Sequence, residues 1–151
     1  MQVYHTGRIK HANDLSGKGA ELHGGRWNSI GVPCIYASAS RALSVLEYAA
    51  NVKLTDLPHM LGITTYEIPE NCWHTIDLAH LPHNWQQRPY PKETAELGSL
   101  FLSRKQFLAI KVPSVIVAQE YNFLLNPLHP SFGQVKIVEV SSLVFDGRIK
   151  Q

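Results

Sequence analysis

The stretch Gly24-Gly25-Arg26-Trp27-Asn28, followed by Tyr36 and Glu47, places a cation, two large aromatics and a carboxylate within a short length of chain. Adjacent glycines let the backbone take positive φ or approach another surface closely, so Arg26 is presented by a tight turn. A guanidinium offers phosphate a fixed fork of donors and keeps its charge at any working pH. Glu47 offers the negative charge that stabilises a sugar cation, and Tyr36 a ring to stack on a base. Together they are the groups needed to hold a dinucleotide and break its glycosidic bond. Each has a plainer use as well: Arg26 as a surface arginine, Glu47 as a solvated helix carboxylate, Tyr36 as strand core.

The elements that must position them follow from the pattern. Gln2 to His5 reads as a short strand, and Arg8 to Gly25 as a long loop broken by Asp14, Ser16 and several glycines. Val32 to Ser38 is β-rich and its end delivers Tyr36 and Ser38. Ser40 then caps a helix over about Arg41 to Val52, with Leu43, Leu46 and Ala50 on its apolar face and Glu47 beside that face. Ile63 to Ile68 reads as a strand ended by Pro69. Leu81 to Pro91, with its prolines, Trp85 and Tyr90, reads as an ordered extended loop or lid. Glu93 to Leu108 is the second main helix, with acidic residues near its start. Ala109 to Val112 and Val115 to Gln119 read as a strand pair bent at Pro113-Ser114, Val135 to Val140 as a further strand and Leu143 to Phe145 as a last short one. The expected fold class is α+β, one compact domain over residues 1–151 with short mixed or antiparallel strands and a few helices.

Composition bounds the function. The 151 residues suit one domain, and no apolar run approaches the roughly 18 residues of a membrane span. The first residues carry no secretion signal, so the default location is cytoplasmic. Cys34 and Cys72 lack CxxC spacing and read as reduced thiols. The net charge of +2 is spread along the chain and gives no nucleic-acid stripe. The eight histidines show no metal-ligand spacing, so no metal is expected. No GxSxG elbow, P-loop or GxGxxG fingerprint is present, which removes serine-hydrolase, Walker NTPase and Rossmann readings.

The blocks Leu15-Ser16-Gly17-Lys18-Gly19-Ala20, Gly24-Gly25-Arg26-Trp27-Asn28-Ser29, Tyr36-Ala37-Ser38 and Ala42-Leu43-Ser44-Val45-Leu46-Glu47 resemble a RES-domain protein. The likeness continues through Val112-Pro113-Ser114, Glu120-Tyr121-Asn122, Asn126-Pro127-Leu128-His129-Pro130 and Phe145-Asp146-Gly147-Arg148. Arg26, Glu47 and Ser114 stand at the positions of the Arg, Glu and Ser that name the family. The resemblance implies the toxin of a bacterial toxin–antitoxin pair, a fold like the ADP-ribosyltransferase toxins, and destruction of NAD+ by hydrolysis or phosphorolysis. NAD+ is then a substrate and no cofactor is implied. The implied partner is an Xre-type helix-turn-helix antitoxin, with no direct contact to nucleic acid or membrane; a homo-oligomer is left open. Many relatives carry Arg after the first-strand Tyr, where this chain has Tyr4-His5, an order with Tyr36 and Glu47 reminiscent of the His-Tyr-Glu class of ADP-ribosylating toxins.

On this footing Glu47, Arg26 and Tyr36 are the expected catalytic residues, and His5, Asn28, Ser38, Ser114 and Asn126 the expected substrate-binding ones. Glu47 would steady the ribose cation, Arg26 the pyrophosphate, and Tyr36 would stack on nicotinamide. Ser114 offers a hydroxyl to the ligand or to Glu47, and Asn126 and His129 order their loop through backbone hydrogen bonds. Two other readings compete: transfer of ADP-ribose to a macromolecule, and a non-enzymatic interaction module.

Overall fold

Short strands of β-branched and aromatic residues, closed by turns at glycine, proline and asparagine, build most of the molecule. The computed structural model describes residues 1–53, 55 and 60–149. The strands are β1 (Gln2–Arg8), β2 (Ile35–Ser38), β3 (Leu61–Glu67), β4 (Trp73–Thr75), β5 (Ala109–Pro113), β6 (Tyr121–Leu125) and β7 (Lys136–Leu143). They form one sheet in the order β4-β5-β6-β2-β1-β3-β7, mixed because β4 and β5 run parallel while the other neighbours are antiparallel. The described α-helices are α1 (Lys18–His23), α2 (Arg41–Asn51) and α3 (Lys92–Arg104). This is the α+β class expected from the sequence.

The join between β1 and β2 differs from the others. β1 pairs with β3 from Gln2 to Arg8, and β2 pairs with β6 from Ile35 to Ser38, but β1 meets β2 only at Tyr4 and Ser38. Beyond that pair the sheet divides into a β4-β5-β6-β2 half and a β1-β3-β7 half, and the gap opens a cleft.

Two cores cover the faces of the first half. The side-chain period of a strand sends Ala109, Phe123 and Leu125 to one core, and Ile110, Val112 and Leu124 to the other. Leu97, Phe101 and Leu102 of α3, Trp27, and Trp85 from the Pro-rich segment close the second core. That segment, expected as an ordered extended loop, is a strap of turns, with Trp85 N–H donating to Pro82 O (3.0 Å) and Gln87 N–H to Asn84 O (2.9 Å).

Several boundaries move. The expected long loop from Arg8 contains the end of β1, a 3-10 turn at Ile9–His11 and α1. Ser16 Oγ accepts from Lys18 N–H (3.1 Å) and Lys18 pairs with Glu21 (2.7 Å), local bonds that start a helix despite the glycines. α3 stops at Arg104 because Lys105 turns left-handed (φ 53°), leaving Leu108 to enter the core ahead of β5. Val115 to Gln119 is not a strand: Ser114 Oγ accepts from Ile116 and Val117 N–H (both 3.1 Å), which curls the chain into the β5–β6 turn. β4 and β6 were not expected, and Leu143 ends β7 with no separate strand after it among the described residues.

Gly98 lies on the buried face of α3 where the chain around Trp27 crosses, and a Cβ there would sit 2.0 Å from the Trp27 carbonyl oxygen. Gly98→Ala should lower stability by about 2 kcal/mol or more despite alanine's better helix propensity, because backbone must move. Gly19→Ala in α1, where a Cβ meets nothing within 4 Å, should be neutral or slightly stabilising. Urea midpoints of the two variants check this pair; equal midpoints would contradict it.

Candidate functional site

Two chambers lie along the cleft, of about 610 Å³ and about 200 Å³, and His5 and Tyr36 wall both. The larger is bounded by β1, β2, β3 and the chain from His11 to Gly24, with Arg8, Lys18 and His23 on its rim. The smaller lies between α2 and the strands, and Glu47 lines it with Ser38, Asn51 and Asn122.

α2 sets the position of Glu47. Ser40 Oγ caps the helix by accepting from Leu43 N–H (3.1 Å), and Leu43, Ser44 and Ala49 are its buried residues. Leu46, expected on the apolar face, is 37% exposed. The helix is turned so that Ser44, Glu47, Tyr48 and Asn51, at helical spacing, face the small chamber. Thr6 and Ser44 hydroxyls, 2.9 Å apart, tie this face to β1.

Glu47 is fixed through one oxygen. Its Oε1 accepts from Asn122 Nδ2 (2.6 Å) and Ser114 Oγ (2.9 Å). Among the described residues no hydrogen bond reaches Oε2. Asn122 is held in turn by Ser38, whose Oγ donates to Asn122 Oδ1 (2.7 Å). Ser38 and Ser114 thus act on the carboxylate, one through Asn122 and one directly, and both are buried. Asn122 itself was missed as a site residue; the amide in the Glu120-Tyr121-Asn122 block was the available signal.

Tyr36 and His5 are held with defined protonation. Tyr36 Oη donates to Asn28 Oδ1 (2.7 Å) and accepts from Trp27 N–H (3.1 Å), and burial pushes its phenol well above the ordinary range. The hydroxyl is therefore committed to the turn, and the ring is what the cleft sees. A Cβ on Gly25 would lie 2.5 Å from that oxygen, so the docking requires glycine there. A carbonyl oxygen can only accept, so the 2.7 Å contact between His5 Nδ1 and Tyr36 O places the ring hydrogen on Nδ1. Burial holds His5 below its ordinary pKa, outweighing that hydrogen bond. Burial also raises the Cys34 thiol, in the larger chamber's wall, to about 12, so it is no nucleophile.

Two expected binding residues are corrected. Asn28 is sealed in the turn: its Nδ2 donates to Ala20 O (2.8 Å) and Val32 O (2.9 Å), and Oδ1 receives Tyr36. Asn126 is equally buried, donating to Leu102 O (2.9 Å) and accepting from Leu128 N–H (3.1 Å). Both have their polar atoms spent on the fold, and His129 likewise serves its own loop by accepting from Ser131 N–H (3.1 Å). Arg26 lies at the cleft but lines neither chamber; its Nη1 donates to the carbonyls of Trp85 and Gln87 on the strap. Its guanidinium holds its proton less firmly than an ordinary arginine because of burial first and Arg88 second, while Glu47 acts in the opposite sense. Among the described residues no cluster of His, Cys, Asp or Glu could hold a metal ion, and no helix is long and apolar enough to cross a membrane.

The sequence matches the RES domain from residue 2 to residue 146: the chain belongs to the RES domain family. It is 35% identical over 145 residues to the Prs ADP-ribosylating toxin of Sphingobium sp. strain YBL2, covering 94% of this chain and 90% of the relative. It is 37% identical over 134 residues to Toxin Res of Photorhabdus laumondii, covering 87% and 85%. Among solved structures, a chain of the M. tuberculosis MbcT-MbcA toxin-antitoxin complex superposes with a TM-score of 0.74 at 16% identity, over 95% of this chain and 84% of that one, a likeness of fold.

The depressed pKa of His5 has a sign that can be measured. Below the ordinary histidine value of 6.5 the unfolded chain binds a proton at this position that the folded chain resists, so stability falls as pH drops from there through the lowered folded value. His5→Gln should flatten that part of the profile. Urea midpoints from about pH 7.5 to about pH 5 check it, and parallel profiles for the two proteins would refute it.

Proposed function

We propose that the chain is the toxin of a cytoplasmic toxin–antitoxin pair and that it depletes NAD+ by cleaving the nicotinamide–ribose bond. The observation that carries this reading is the Glu47 carboxylate, held by Ser114 and Asn122 on Oε1 and turned into a chamber walled by Tyr36 and His5. As that bond breaks, its electron pair passes to the nicotinamide ring nitrogen, which becomes neutral, and positive charge develops on the ribose. The leaving group needs no proton, so one fixed carboxylate beside the sugar suffices where glycosidases use two. Oε2 faces the ribose or its hydroxyls. Tyr36 gives its ring to the nicotinamide while Asn28 and Trp27 hold its hydroxyl away.

The chambers suit the two ends of a dinucleotide. The larger, within the roughly 300–1,000 Å³ of common ligand sites, takes the adenosine side, and the smaller takes the nicotinamide riboside. The family and the toxin names of its relatives support the biological role, and the antitoxin complex of the structural neighbour supports an antitoxin partner, for which an Xre-type helix-turn-helix protein is our choice. A second reading, transfer of ADP-ribose to a macromolecule, is favoured by the name of the Sphingobium relative. It uses the same carboxylate and differs only in the acceptor.

Purified protein given labelled NAD+ with phosphate and candidate acceptors should release nicotinamide together with ADP-ribose or its 1″-phosphate. Glu47→Gln, which keeps the shape and removes the charge, should slow release by about 100-fold or more with its melting curve little changed. Label appearing only on a macromolecule would favour transfer, and failure of the wild-type protein to release nicotinamide would refute the enzymatic reading.

A further inference from the structure

A row of paired residues, Tyr4–Ser38–Asn122–Val112, crosses β1, β2, β6 and β5. Directly opposed residues on antiparallel strands share a face, so Ser38 and Asn122 project together into the small chamber that both line. β6 is paired on both sides at Asn122, with Ser38 and with Val112. The amide therefore starts from backbone that cannot shift without disturbing two ladders.

The hydrogens of this network have one arrangement. Asn122 meets Glu47 Oε1 at 2.6 Å, and an amide oxygen turned there would set acceptor against acceptor, so Nδ2 faces the carboxylate. Oδ1 then points to Ser38, whose hydroxyl has to donate (2.7 Å). Ser114 Oγ accepts from Ile116 and Val117 N–H, which uses both its lone pairs and leaves its one hydrogen for Glu47 Oε1 (2.9 Å). Two donors that cannot reverse thus fill Oε1, and Oε2 is the oxygen left to meet a substrate hydroxyl or a cation. Ser114 is braced by two amides of its own turn; among the described residues the Asn122 side chain is braced by Ser38 alone.

We propose that Asn122, its amide turned by Ser38, is the positioning residue that makes Glu47 work through Oε2 alone. It acts through the carboxylate and not on the ligand. Its role in turnover rests on the NAD+-cleaving reading, whereas its hold on Glu47 does not. Ser38, whose residue type suggested a ligand contact, is then two steps removed from the reacting atoms. Without the amide, Glu47 would hang from Ser114 by a single bond, and the two carboxylate oxygens would exchange places.

Asn122→Asp and Asn122→Leu test the assignment, with melting curves to confirm that each folds. An aspartate at this position sets a second carboxyl against Glu47 Oε1. The two then share a proton, and the protonated aspartate donates as the amide did. Leucine donates at no pH. The other titratable or charged groups facing Glu47, namely Arg26, His5, Tyr4, Tyr36 and Tyr48, are the same in all three proteins, so each variant is read as a ratio to wild type at the same pH. The kcat for nicotinamide release by Asn122→Asp should lie about 100-fold below wild type at about pH 9 and recover most of that loss by about pH 5.5, with KM little moved. Asn122→Leu should stay about 100-fold down throughout. A ratio for Asn122→Asp that is flat with pH, or wild-type kcat in Asn122→Leu, overturns the proposal. The carbon resonance of the Glu47 carboxyl gives a readout that needs no turnover: it should titrate about one pH unit or more higher in Asn122→Asp than in the wild-type protein. Identical carboxyl titrations overturn the positioning role even if NAD+ is cleaved. A displaced titration in a protein whose wild type cleaves no NAD+ supports the hold on Glu47 and overturns the enzymatic reading instead.

Discussion

The single pairing of β1 with β2, at Tyr4 and Ser38, is the constraint from which the cleft follows. Had the ladder run on, the backbone of the two strands would occupy the space between them, and His5 and Tyr36 would be neighbours on a closed surface. Parting the strands leaves backbone groups that need partners. The His5 side chain supplies one by donating to the Tyr36 carbonyl, so the cleft is bridged next to the pairing by a side chain where a strand pair would have used an amide.

Glu47 gains its definition from the half-sheet opposite its own helix. Ser114 sits at the β5–β6 turn and Asn122 on β6, so the carboxylate is referenced to a rigid, doubly covered part of the sheet even though α2 carries it. Oriented dipoles of this kind need no rearrangement when charge appears nearby, which is where electrostatic stabilisation gains over water. The Gly25–Asn28 turn does the same for Tyr36, and its tightness depends on the close approach that Gly25 permits and on α3 presenting Gly98 to Trp27.

Much of this was legible in the chain. The α+β class, the Ser40 cap, the ordered Pro-rich segment and the nearness of Tyr36 to Glu47 followed from local chemistry, and His5 joined them only through the family resemblance. The failures share a cause: where a polar side chain spends its hydrogen bonds is decided by distant chain. Asn28 and Asn126 have the residue type of a ligand contact, and only the fold shows their atoms consumed by carbonyls of Ala20, Val32 and Leu102. Ser114 turned a β-prone stretch into a turn by bonding two amides, a choice that composition does not display. The rotation of α2 was half visible, since Ser44, Glu47, Tyr48 and Asn51 form a polar stripe of helical period beside the expected apolar one.

The tethered imidazole carries one more implication. With its hydrogen given to Tyr36, the neutral ring offers the cleft only a lone pair on Nε2, directed toward Gly7 and the wall of the larger chamber. Such an atom welcomes a hydroxyl or amino group that brings its own hydrogen and repels a bare oxyanion. A sugar or base edge that brings its own hydrogen therefore belongs against the β1 wall at His5.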